Sequence, residues 1–210
     1  MSARDEVLAR IRGALGDNPA DAPPVVRAYR EAGEHPPGSA AVVDQLVERL
    51  EDYRATVVRT RGADESVGIA IAAALDAVGA TSSIAAPGVP DGWTSATPVC
   101  IRDVGTITPR ELDRVDAVVT GSVVAISETG TIALDGSPRC GRRMITLVPD
   151  VHLCVVSVAD VVQSVPEGLA RLDPTAPLTF VSGPSATSDI ELSRVEGVHG
   201  PRHLVVVIAG

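Results

Sequence analysis

The chain is 210 residues long and 45% hydrophobic, enough to bury a sizeable core in one α/β domain, with or without an added helical segment, and too apolar to be disordered throughout. Its net charge of −9 argues against nucleic acid or an anionic membrane surface as the main partner, because both require a basic face. All 18 basic residues are arginine, so lysine Schiff-base chemistry, lysine-linked pyridoxal phosphate and the Walker-type phosphate lysine are excluded together.

Residues 3–15 carry Val7, Leu8, Ile11, Ala14 and Leu15 at helical spacing and end at Gly16, which predicts a first helix. Residues 17–39, with Pro23-Pro24 and Pro36-Pro37, read as a tether, so residues 1–39 form an arm ahead of a domain over 40–210. The arm either packs on the same core or meets a partner subunit. A second helix is expected over 41–53, with Val42, Val43, Leu46, Val47 and Leu50 on one side, then a strand over 55–60. A third helix over 66–78, closed by Gly79, leads to a strand over 82–86. That β-α-β order favours a parallel sheet with right-handed crossovers.

The loop 87–98 holds Trp93, the only tryptophan, which either covers core or lines a pocket. Thr108 as N-cap and Pro109 at the first helical position predict a short helix over 108–114. Runs 116–120, 122–127 and 131–134 are β-rich and closely spaced, with Asp135-Gly136 as a turn signal. Two further apolar runs, 144–148 and 153–156, follow. Residues 158–172 read as a helix broken or bent at Pro166. Runs 178–181 and 204–208 read as two buried strands.

Cys100, Cys140 and Cys154 form no C-x-x-C pair, which supports neither a cysteine-ligated iron–sulfur cluster nor a zinc site. Cys100 and Cys154 read as small buried hydrophobes. Cys140, between Arg139 and Arg142-Arg143, is either a reactive thiol of lowered pKa or an ordinary loop cysteine. His152 shares a strand face with Cys154 and reads as a satisfied, partly buried histidine. No apolar h-region opens the chain and no run approaches the ~20 residues of a spanning helix, so a cytoplasmic protein is expected.

Between the last two strands lies Ser182-Gly183-Pro184-Ser185-Ala186-Thr187-Ser188-Asp189-Ile190-Glu191, followed by Gly197-Val198-His199-Gly200-Pro201. Ser185, Thr187 and Ser188 are capping residue types, and Ser188 with Glu191 fits a capping box. A helix starting there would offer backbone N–H groups and a positive dipole end to a carboxylate or phosphate. A capped helix without a ligand reads equally well.

These two segments resemble the signature of the lactate-utilisation protein C family, proteins built on an LUD domain. Ser127-Glu128-Thr129-Gly130-Thr131-Ile132 and Val148-Pro149-Asp150-Val151-His152 resemble two further motifs of that family, in the same order. The resemblance implies a mixed sheet flanked by helices, like the CoA-transferase, ribose-5-phosphate isomerase and glucosamine-6-phosphate deaminase group. It also implies a part in oxidising L-lactate to pyruvate beside iron–sulfur partner proteins.

Glu128 with Gly130 is similar to the nucleophilic glutamate pattern of CoA-transferases; a turn carboxylate bonded to nearby N–H groups is the other reading. His199, flanked by glycine in a loop that can approach a ligand, is the candidate general acid/base or carboxylate donor. Arg139, Arg142, Arg143 and Arg202 are candidates for a carboxylate fork, and Asp189 for orienting His199 or Arg202. The expected site gathers Thr129, Gly130, Thr131, Arg143, Gly183, Ser185, Thr187, Ser188, Asp189, Gly200 and Arg202 around Glu128 and His199. No metal or cofactor motif accompanies them. Two hypotheses follow: a component of an L-lactate-oxidising system that binds a small hydroxy- or keto-acid or its iron–sulfur partners, and a stand-alone CoA-transferase-like or sugar-phosphate isomerase-like enzyme using Glu128.

Overall fold

The computed structural model describes residues 2–16, 24–97, 99–187, 195–197 and 199–210. Helix α1 (Ala3–Leu15) forms as its spacing predicts, opened by a Ser2/Asp5 capping box and closed at Gly16. It buries none of its residues, and Val7, Ile11 and Leu15 stay exposed. Further along the expected tether, three N–H groups bind the body of the protein: Gly33 to Glu167 Oε2 (3.0 Å), His35 to Gln163 Oε1 (2.8 Å) and Gly38 to the Val161 carbonyl (2.8 Å).

Helix α2 (Ala40–Asp52) buries Val42, Val43, Leu46 and Leu50, one stripe of the 3.6-residue period, and leads into β1 (Thr56–Thr60). Helix α3 (Asp64–Ala77) and β2 (Ser83–Ala85) complete the expected β-α-β unit. The short α4 (Asp91–Thr94) lays Trp93 on the core, 4% exposed, with its indole N–H donating to Asp64 Oδ1 at 2.8 Å. Then come β3 (Cys100–Arg102), α5 (Pro109–Leu112) with its Thr108/Glu111 capping box, and β4 (Ala117–Gly121). Strands β5 (Val124–Ile126) and β6 (Thr131–Leu134) leave the main sheet, and β7 (Val151–Ser157) returns to it. The remaining elements are β8 (Val161–Val162), α6 (Val165–Ala170), β9 (Thr179–Val181), β10 (Ala186–Thr187), β11 (Val195–Glu196) and β12 (His203–Ala209).

The fold is α/β, and its strands divide between two principal sheets. Six pair in parallel in the order β1-β12-β7-β4-β2-β3, and four form a mixed sheet in the order β8-β5-β6-β9. Alternation along β12 explains the layering. Val205 and Val207 face α3, Trp93 and Leu112, while Leu204, Val206 and Ile208 face α2 and the Ala125, Ile132 and Leu134 side of the second sheet. A parallel strand covered on both faces reads as a continuous apolar run, which is how β7 and β12 look in sequence.

Three local expectations change. Residues 158–172 are not one helix: a 3-10 turn (Val158–Asp160) precedes β8, and α6 starts afresh with Ser164 and Glu167 as its capping box. Pro166 therefore sits in a first turn, where its missing N–H costs nothing, and it starts a helix instead of breaking one. The run 144–148 overlaps a 3-10 turn, Arg143–Thr146. Finally, β9 is a half-exposed edge strand of the small sheet, whereas β12 is buried in the middle of the large one. The long loop between them crosses from one sheet to the other.

Candidate functional site

That crossing shapes the site. After β9 the chain turns at Gly183, whose φ of +99° and an approach that would put a Cβ 2.7 Å from Tyr53 Cβ admit only glycine without strain. Ser185 then ties the two halves of the loop together. Its N–H donates to the Pro201 carbonyl (2.8 Å), its carbonyl accepts from Gly197 N–H (3.0 Å), and its hydroxyl accepts from His199 N–H (3.0 Å). The antiparallel pairing of β10 with β11 extends this fold-back. Thr187 thus lies in a strand. Ser188, Asp189 and the Ser188–Glu191 capping box lie outside the described residues.

The fold-back encloses a cavity of about 260 Å³, lined by residues 179–186, His199 to Pro201, Leu204, Arg143, Thr146 and His152. Arg143, Gly183, Ser185, His199 and Gly200, expected from distant parts of the sequence to share a site, all line it. Arg143 stands at the exposed rim, its Nη1 donating to the carbonyl and Oγ1 of Thr146 at 3.2 and 3.1 Å. Among the described residues it has no carboxylate partner, so its charge is available to an anion.

His152, the second residue of β7, is 2% exposed, more deeply buried than expected. Its Nε2 lies 2.8 Å from Thr120 Oγ1. Burial first, and the Arg143 charge second, push its pKa down to about 4, so the ring is neutral at physiological pH. His152, Thr146 and Leu204 are cavity residues that sequence reasoning did not assign to the site. The available signal for His152 was a titratable residue flanked by Val151 and Leu153 in an otherwise apolar strand.

The turn between β5 and β6 reaches the site only indirectly. Thr131 Oγ1 lies 2.8 Å from Ser182 Oγ and receives the Thr129 hydroxyl, while Gly130 packs against Arg49 and Tyr53. None of residues 128–131 lines the cavity. The Glu128 carboxylate instead accepts from both terminal nitrogens of Arg30 (2.9 and 2.5 Å), in the segment ahead of α2.

The other arginines are engaged elsewhere. Arg139 stacks over Trp93, 5.4 Å from the ring centre. Arg142 forks onto buried Asp103 (2.7 and 3.0 Å) and also binds the Ile107 carbonyl. Burial works to raise the Asp103 pKa, but Arg142 and the Gly105 N–H outweigh it and hold the carboxyl below its ordinary value. Arg202 donates to Asp150 Oδ1 at 2.5 Å and lines an adjoining hollow of about 370 Å³ that His199 and Gly200 also border.

Cys140 is wholly buried and burial pushes its thiol pKa up, which removes the reactive-thiol reading despite its cationic sequence neighbours. Cys154 is likewise buried, its thiol pushed up to about 12, while Cys100 is only half-buried. Among the described residues no group of three or more His, Cys, Asp or Glu side chains is placed to hold a metal ion. No described helix is long and apolar enough to cross a membrane.

The family model for the LUD domain matches residues 43–209, nearly the whole chain beyond the arm. This chain belongs to the LUD domain family. It is 43% identical over 214 residues to Lactate utilization protein C of Deinococcus radiodurans, covering 99% of this chain and 96% of that one. Lactate utilization protein C of Bacillus subtilis is 28% identical over 112 residues, 47% of this chain and 44% of its own. The crystal structure of a DUF162 family protein from Deinococcus radiodurans superposes with a TM-score of 0.68 at 41% identity, covering 81% of this chain and 98% of that one. The match takes in α2 and both principal sheets of this LUD domain, and so the elements that enclose the cavity.

Proposed function

We propose that this LUD-domain protein is a component of a lactate-utilising system, taking part in the oxidation of L-lactate to pyruvate, and that its cavity binds a small hydroxy- or keto-acid. The observation that carries the reading is the convergence of Arg143, which has no carboxylate partner among the described residues, with the Ser182 to Ala186 and His199 to Pro201 segments around one hollow. An exposed guanidinium beside serine hydroxyls and glycine-rich backbone suits a carboxylate. The volume, about 260 Å³, falls below the roughly 300–1,000 Å³ of pockets for drug-sized ligands, which favours a small acid over a coenzyme A thioester. The near full-length likeness to a protein called Lactate utilization protein C supports the pathway. In this reading the protein works in the cytoplasm beside iron–sulfur partner subunits that take the electrons, residues 40–210 hold the acid, and the arm of residues 1–39 lies outside the site.

Deletion of the gene tests the first half of the proposal: growth on L-lactate as sole carbon source should stop and return with the wild-type copy. Titration calorimetry with L-lactate and pyruvate tests the second. Binding lost in Arg143→Gln supports the site, and no heat with either acid removes it.

A further inference from the structure

His152 is a buried polar side chain in the cavity wall. Burying a polar ring is unfavourable unless its nitrogens find partners, and a half-satisfied ring is costlier than an apolar side chain of the same shape. Thr120 Oγ1 satisfies Nε2 at 2.8 Å. Among the described residues no protein group hydrogen-bonds Nδ1, and although the residue is 2% exposed, Nδ1 is not one of the closed-off unpartnered atoms, so it opens on the hollow. The residue lines the cavity, so a molecule within that cavity is the partner available to Nδ1. Arg143 lies close enough for its charge to act on the ring, and both side chains border the same hollow. A neutral ring nitrogen beside a guanidinium is a two-point recognition element.

We infer that His152 is a specificity-determining residue, hydrogen-bonding through Nδ1 to the C2 oxygen of a 2-oxo or 2-hydroxy carboxylate whose carboxylate Arg143 holds. This rests on the reading that the cavity takes a small acid, and deepens it by stating which acids are refused. Propionate offers the same carboxylate but no C2 oxygen, so where it displaces water from the cavity it gives Nδ1 no partner in exchange. Sites that hydrogen-bond one substrate oxygen reject the analogue lacking it far more strongly than apolar pockets reject a missing methylene. The deep placement of His152, on a strand hydrogen-bonded on both sides to β4 and β12, fixes the ring against a ligand better than a loop residue would.

The test is calorimetric titration of the full chain near neutral pH with pyruvate, L-lactate and propionate, on wild type, Arg143→Gln and His152→Phe. Wild type should bind pyruvate at least roughly tenfold tighter than propionate, about what one hydrogen bond to a buried group supplies. His152→Phe should bring the two acids to similar affinity by weakening pyruvate alone, and Arg143→Gln should weaken both together. A merely structural histidine would not move that ratio. If His152→Phe keeps the wild-type preference, or wild type binds pyruvate and propionate equally, the inference falls while the small-acid site stands. If wild type binds none of the three acids, both fall. Should His152→Phe fail to fold, long-range 1H–15N spectra of wild type decide instead. The His152 Nδ1 resonance should shift with pyruvate and not with propionate, and an unmoved resonance overturns the assignment.

Discussion

Acidification from pH 7 to pH 5 should destabilise this protein through His152. In the unfolded chain the imidazole takes up its proton near the ordinary 6.5, but in the folded protein burial and Arg143 delay uptake until about 4. The folded pKa is depressed, so the stability is intact above 6.5 and is lost progressively as pH falls towards 4. A difference of about 2.5 pH units corresponds to a limit of roughly 3 kcal/mol, of which about 2 kcal/mol is lost between pH 7 and pH 5. Arg143 is the charged group acting on the ring, so Arg143→Gln should make the loss smaller. The assay is urea denaturation at several pH values on wild type and His152→Gln. A difference between variant and wild type that is the same at every pH carries no information on His152; what matters is how that difference changes. It should shift by about 2 kcal/mol in favour of the variant on going from pH 7 to pH 5. A difference that stays flat across this window would show that His152 protonates as easily folded as unfolded, and the buried, half-satisfied ring would be refuted.

Neither wild type nor Glu128→Gln should form a glutamyl adduct in intact-protein mass spectra with acyl-CoA thioesters, and the exposed Arg30 partner of Glu128 should make the thermal midpoint equally insensitive to the change. A wild-type adduct at Glu128 would contradict this directly. Asp103→Asn should lower stability by about 2 kcal/mol or more in chemical denaturation, since Arg142 loses the anion its fork is built around. That contribution is present above the ordinary carboxylate value of 3.8 and disappears as pH falls through the lowered value of the folded state. Gly141→Ala should cost clearly more than Gly79→Ala, by about 1–3 kcal/mol. Both glycines have φ near +70°, but a Cβ at Gly141 would meet Ile145 Cδ1 at 2.5 Å, whereas Gly79 opens on empty space. Equal costs would mean that backbone strain alone governs both.

The parts of the fold legible in the sequence are those whose pattern is local. Helix α2 buries one face and shows it as Val42, Val43, Leu46 and Leu50, and Gly79 marks the end of the α3 segment with a positive φ. The stretch 158–172 misled because its valines satisfy a helical period equally well, and only pairing with β5 makes Val161 and Val162 a strand. The gathering of Ser185, His199 and Arg143 could be anticipated as loops following one another in the chain. The engagement of Glu128 by Arg30 could not, since the partners are 98 residues apart and nothing near either one specifies the other. His152 shows the same limit from the opposite side. Its strand predicted burial, and burial alone gives a satisfied core histidine. The cavity beside it exists only because β9 belongs to one sheet and β12 to another, so that the connecting loop must pass over the start of β7. A histidine at that place is buried by its own strand and borders a hollow lined by a loop 30 to 50 residues further on, and that combination gives one ring nitrogen a protein partner and leaves the other facing the hollow.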